Sequence, residues 1–220
     1  MNTIWFFGDS FTYGDGCLPG FEYYNTHPSV DNRIWTTRIA EEYSFIEKNL
    51  SERGCSTPMI INSLINNLSK IKPHDMVIIS DSLPSRTLGV NSKRRKIELV
   101  TTDIFETHHG LDNFFEYEIE RESFLNHIIN NILPYEDIWK VFYEKQIESL
   151  QTELLNREVE FYFWSHSMWA LRTDSFISIR EHTNGKIDDG HFSWEGHSQM
   201  TKIISEAIEN KKYIIHKKLL

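Results

Sequence analysis

Cysteine is nearly absent from this chain. Cys17 and Cys55 are the only two in 220 residues, too few for the disulfide framework of a small secreted domain, so both thiols are expected reduced. Positive charge is also scarce: 23 Lys and Arg stand against 32 Asp and Glu, a net charge of −9. A nucleic-acid groove needs clustered cations to neutralise phosphates, and the one basic cluster, Lys93-Arg94-Arg95-Lys96, reads as a solvated loop; no nucleic-acid partner is expected. No apolar run approaches the ~20 residues of a membrane span. The first expected strand begins so near Met1 that no signal peptide is expected ahead of it, and the chain reads as a cytoplasmic protein. Gly8, Gly14 and Gly16 lack the G-x-G-x-x-G spacing of a dinucleotide fingerprint. Glu106-Thr107-His108-His109 has metal-ligand residue types without a well-spaced third ligand. Neither metal nor cofactor is expected.

What the chain does have is alternation. With 40% hydrophobic residues in 220 it can bury the core of one domain, 1–220. Apolar runs predict strands at Thr3–Phe7, Ser44–Lys48, Met76–Ser80 and Val159–Trp164. Helical spacing predicts helices at about Arg33–Tyr43, Thr57–Ile71 and Tyr135–Asn156. A further helix carries Met200, Ile203, Ile204, Ala207 and Ile208 on one face, with Ser193 as its N-cap. Strand–helix–strand passages favour parallel pairing, hence a three-layer α/β/α sandwich with a mainly parallel sheet. Residues 83–134 fit the alternation poorly. They read as an insertion that begins with a loop and holds a helix at Ser123–Leu133, with Phe105, Phe114, Phe115 and Tyr117 available to cap a crevice or meet a partner.

Two segments carry chemistry. Gly8-Asp9-Ser10-Phe11-Thr12-Tyr13-Gly14 follows the first strand directly and sets a serine at the carboxyl end of the sheet, where open α/β folds keep their ligand crevices. Serine needs a base, a group that orients the base, and donors for the oxyanion it creates. Asp188-Asp189-Gly190-His191, in a turn leading into the last helix, offers a carboxylate three residues before a histidine. Such a set has the makings of a serine hydrolase. Asp9, beside the serine, is expected to fix the turn through local hydrogen bonds rather than act as an acid.

These motifs resemble the SGNH/GDSL hydrolase family, whose first motif is Gly-Asp-Ser and whose last is Asp-x-x-His. The resemblance makes Ser10 the nucleophile, His191 the general base and Asp188 its partner. Asn49-Leu50-Ser51-Glu52-Arg53-Gly54-Cys55-Ser56 is similar to the family's Asn-Leu-x-x-x-Gly-x-Ser segment, which implies oxyanion donors at the backbone N–H groups of Gly54 and Ser10. It would also bring the loops of Cys17 and Cys55 to one crevice, where a bridge is open to them. The family's Gly-x-Asn-Asp motif is missing: Ser80-Asp81-Ser82 follows the strand instead, with Ser82 in the asparagine slot as a hydroxyl donor and Arg86 nearby as a cation. His166 and His182 read as loop histidines, and His197 as a helix-face residue. The implied fold is the flavodoxin-like sandwich already expected. The implied activity is hydrolysis of a small-molecule or carbohydrate ester, a short-chain O-acyl ester in the first instance, through an acyl-Ser10 intermediate. An O-acyltransferase, or a non-catalytic module that keeps the fold, would show the same motifs. Trp5, Trp35, Trp164, Trp169 and Trp194 would suit sugar stacking if exposed, and core packing if not.

Overall fold

Ile4-Trp5-Phe6-Phe7 and Met76-Val77-Ile78-Ile79 are apolar without alternation, a pattern suited to strands covered on both faces. In the computed structural model, which describes residues 1–14, 33–82, 86–91, 96–101, 136–165, 176–178 and 192–211, they form the centre of the sheet. The strands are β1 (Thr3–Phe7), β2 (Ile46–Asn49), β3 (Met76–Ser80), β4 (Arg86–Asn91), β5 (Lys96–Thr101), β6 (Glu160–Ser165) and β7 (Phe176–Ser178). The helices are α1 (Ser10–Tyr13), α2 (Trp35–Glu42), α3 (Thr57–Asn67), α4 (Glu136–Asn156) and α5 (Trp194–Glu209). The main sheet runs β2-β1-β3-β6-β7, every pairing parallel.

Successive side chains leave a strand on opposite faces, and each face finds its own cover. Trp5, Phe7, Val77, Ile79, Phe161 and Phe163 pack with Ile60, Ile61 and Leu64 of α3 and with Ile147, Leu150 and Leu154 of α4. Ile4, Phe6, Met76, Ile78, Tyr162 and Trp164 pack with Trp35 and Ile39 of α2 and with Met200, Ile204 and Ile208 of α5. The result is a three-layer α/β/α sandwich. Trp5, Trp35 and Trp164 are buried in these cores, which removes them as platforms for a sugar.

The amino edge of the sheet is fastened by one buried carboxylate. Asp75 accepts the Thr3 N–H at 2.8 Å, the Trp5 indole N–H at 3.0 Å and the Lys72 N–H at 3.0 Å. It thereby joins β1 to the turn that enters β3.

Two expectations need correction. The 83–134 segment holds strands that the alternation did not show: β4 and β5 form an antiparallel hairpin apart from the main sheet, in register from Arg86↔Thr101 to Asn91↔Lys96. The β-branched residues Thr87, Val90, Ile97, Val100 and Thr101 favour extended chain. Lys96 opens β5, and Lys93, Arg94 and Arg95, read from sequence as a solvated loop, lie outside the described residues. The helix expected over Thr57–Ile71 ends at Asn67 and tightens into a 3-10 turn, Leu68–Lys70, ahead of Pro73. The helix at Ser123–Leu133 and the aromatic set Phe105, Phe114, Phe115 and Tyr117 lie outside the described residues. Among the described residues no helix is long and apolar enough to cross a membrane.

Candidate active site

The turn after β1 is built from small and capping residues. Gly8 has no room for a side chain: a Cβ there would overlap the Thr12 and Ser80 hydroxyls. Asp9 is buried and caps α1, its carboxylate accepting the Phe11 N–H at 3.1 Å. That is the local role its sequence context suggested. Ser10 is the first residue of α1, a single helical turn closed by Gly14, whose φ of +91° suits glycine and whose N–H reaches Ser10 O at 3.0 Å. The turn expected here is a single turn of helix.

Three loops are fastened together around this turn. Asn49, at the end of β2, donates its amide to Thr12 O at 3.0 Å and to Thr36 Oγ1 at 3.3 Å, while its carbonyl accepts the Ser51 N–H at 3.1 Å. Beyond it the chain keeps the parallel ladder going, Leu50 N–H to Phe6 O at 2.8 Å and Glu52 N–H to Gly8 O at 3.1 Å. Arg53 then stacks over the Tyr13 ring, 5.3 Å from its centroid. Gly54 follows with φ of +69°, again a backbone suited to glycine. From β3, Ser80 Oγ lies 3.3 Å from Thr12 Oγ1, and the Ser82 N–H donates to Thr57 Oγ1 at 3.1 Å. The Gly54 loop and the Ser82 loop thus meet at the start of α3, and both touch the turn that carries Ser10.

This assembly sits at the carboxyl ends of β1 and β3. The chain turns one way after β1, to β2, and the other way after β2, to β3. Ligands of open α/β sheets bind at such a reversal.

The C-terminal side reaches the same place. Ser193 caps α5, its hydroxyl accepting the Gly196 N–H at 3.2 Å, as its position suggested. Phe192, just before it, packs edge-on against Phe11 with ring centroids 5.1 Å apart and planes at 72°. Asp188, Asp189 and His191 lie outside the described residues, as do Cys17, His108, His109, His166 and His182. Phe192 nevertheless directly follows His191, and Phe11 directly follows Ser10. Cys55 is buried, and Cys17, to which a bridge was left open, lies outside the described residues.

His197 lies on a helix face, as expected, and that face is turned into the core. It is fully buried, its Nδ1 accepting the Trp35 backbone N–H across a long 3.4 Å. Trp35 also donates its indole N–H to Phe11 O at 3.2 Å, so one residue holds both the serine turn and the last helix. Burial, with the Arg38 charge adding to it, pushes His197 down to about 3. It is neutral at ordinary pH and unsuited to shuttling protons. Asn49, Thr12, Trp35 and His197 were missed as supporting residues because none carries a sequence signal of its own, although Thr12 and Asn49 stood within recognised motifs.

No protein-family model matches the chain, and no curated protein matches it by sequence. Solved structures do. A psychrotrophic esterase from Pseudoalteromonas sp. is similar with a TM-score of 0.50 at 12% identity, over 96% of this chain and 98% of that one. The lipase/acylhydrolase from Enterococcus faecalis gives 0.48 at 12% identity, covering 96% and 97%. A GDSL-like lipase from Bacteroides thetaiotaomicron gives 0.45 at 12%, covering 96% and 89%. The first of these likenesses is one of fold.

Proposed function

We propose that this chain is a serine esterase of the GDSL type that cleaves a short-chain or carbohydrate O-acyl ester. The observation that carries the reading is the convergence, at the reversal point of the sheet, of the Ser10 turn with the Gly54 and Ser82 loops through the hydrogen bonds and stacking contact described above. In this reading Ser10 Oγ attacks the ester carbonyl carbon while its proton passes to His191, oriented by Asp188. The oxyanion accepts the N–H groups of Ser10 and Gly54. Ser82 stands in the slot of the missing asparagine, with its backbone N–H already given to Thr57, so only its hydroxyl is offered to the substrate. Collapse expels the alcohol, protonated by His191, and leaves acyl-Ser10. Water then attacks, giving its proton to His191, and release of the acid returns that proton to Ser10.

The Pseudoalteromonas esterase was solved inhibited by monoethylphosphonate, and the same chemistry tests this chain. An organophosphonate probe should label Ser10 and abolish hydrolysis of 4-nitrophenyl acetate, and Ser10→Ala should be neither labelled nor active. An unlabelled wild-type protein would remove the reading. A screen of acyl chain lengths on the active protein then reads the substrate. Ser82→Ala should lower kcat by about 100-fold or more, the cost of one oxyanion donor, and unchanged turnover would remove Ser82 from the hole.

A further inference from the structure

The esterase reading requires His191 to meet Ser10 from the far end of the chain, and the described residues contain a contact suited to setting that meeting. Phe192 is buried, 1% exposed, and in contact with two rings. Phe11 is one, at 5.1 Å. His197 is the other, its centroid 5.6 Å away and its plane at 81°. Edge-to-face pairs have preferred angles as well as distances, so a ring held by two such contacts has little freedom to turn or slide. His197 is itself fixed from two directions, by the Trp35 N–H on Nδ1 and by the Trp194 ring at 6.0 Å. Trp35 in turn is fully buried, edge-on to Phe6 at 5.2 Å and to Trp164 at 5.9 Å. The stack therefore begins on the central strands and ends one residue from Ser10 and one residue from His191.

A lone core phenylalanine needs no such explanation. Here the two residues in ring contact each adjoin a member of the proposed pair, and both sides are tied to one anchor: Trp35 holds Phe11 through its indole N–H and His197 through its backbone N–H. Phe192 shares a peptide bond with His191, so in the esterase reading the seating of its ring bears on the base through the backbone. Misplacing a reacting group by about 1 Å costs on the order of 100-fold in rate.

We propose that Phe192 is a positioning residue: held against Phe11 and His197, it sets the distance and angle at which His191 meets Ser10. This rests on the esterase reading and adds the device that holds the base. Phe192 touches no reacting atom in this role, and acts through its neighbour.

The experiment compares wild type, Phe192→Leu, Phe11→Leu and the double variant in the full-length protein. It measures kcat and KM on 4-nitrophenyl acetate, the rate constant for organophosphonate labelling of Ser10, and Tm. Phe192→Leu is expected to lower kcat and the labelling constant together, by about 10- to 100-fold, with KM within about twofold. Phe11→Leu, at a half-buried ring and thus a safer variant for folding, should give a smaller loss of the same kind. The double variant should be no slower than Phe192→Leu alone, because either single change already breaks the ring pair. A lower Tm with kcat and labelling unchanged overturns the proposal, and so do losses that multiply in the double variant. A wild-type protein that is not labelled at Ser10 overturns the esterase reading and the positioning role together. Labelled wild type with equally fast Phe192→Leu overturns the positioning role alone.

Discussion

At the scale of single residues, the serine turn depends on side chains that are absent or very small. Gly8→Ala would drive a methyl group into the Thr12 and Ser80 hydroxyls, both on buried residues, so neither can swing aside into solvent. Overpacking of this kind costs about 1–3 kcal/mol. The expected outcome is a lower urea midpoint with an unchanged m-value and, in the esterase reading, a fall in kcat because Ser10 is two residues on. A variant as stable and active as wild type would show that the turn gives way. Asp75 is a different case, since its three accepted hydrogen bonds all end at the amino edge, away from the site. Asp75→Ala leaves the buried Trp5 indole N–H without its acceptor, at about 1–3 kcal/mol for that group alone. Chemical denaturation should record the loss. The sequence announced Gly8, Asp9 and Ser10 as a motif, but gave no sign of Asp75, whose two partners in β1 are 70 and 72 residues away.

At the scale of elements, legibility followed burial. β1 and β3 were readable to their end residues because central parallel strands are apolar on both faces and stop abruptly at glycine or serine. β2, a sheet edge whose burial alternates between exposed and half-buried, was placed two residues early at its start. β7 has three residues, too few for a periodic signal. The β4–β5 hairpin was missed because Gly89, Glu98 and the Lys-Arg run dilute its apolar alternation; two β-branched runs flanking a short polar connection were the signal present. The site divides in the same way. Motif residues could be named from spacing, whereas Trp35 and His197 act through contacts 162 residues apart in sequence, which no local pattern encodes. The cap of α5 was local and legible. Ser193→Ala removes the bond to the Gly196 N–H and should cost about 1 kcal/mol. In the esterase reading that cap lies two residues after the base His191, so kcat should fall with it, while Ser193→Asp keeps both.

At the scale of the whole molecule, pH separates two histidines that stand six residues apart. In the esterase reading His191 must be neutral to act as base, so activity should fall as pH drops through about 6 to 7, near the ordinary histidine value. His197 cannot produce that limb, being held down to about 3 by burial and then by the Arg38 charge. Its effect is on stability. The unfolded chain takes a proton on this residue near pH 6.5, whereas the folded chain resists until about 3. The unfolded state therefore binds more protons across that window. Stability from this residue is full above about pH 6.5 and is lost as pH falls, by up to roughly 1.4 kcal/mol per pH unit. His197→Asn offers an amide oxygen to the Trp35 N–H and has nothing to titrate. Urea unfolding at pH 7.5 and pH 5 should show wild type losing clearly more stability between the two than the variant does. The variant's activity, lower in amplitude because the ring against Phe192 is gone, should keep its limb at the same pH. Equal losses of stability in both proteins would mean that His197 takes its proton at an ordinary pH. A limb that moved with the substitution would mean that His197, not His191, is the group that titrates in catalysis.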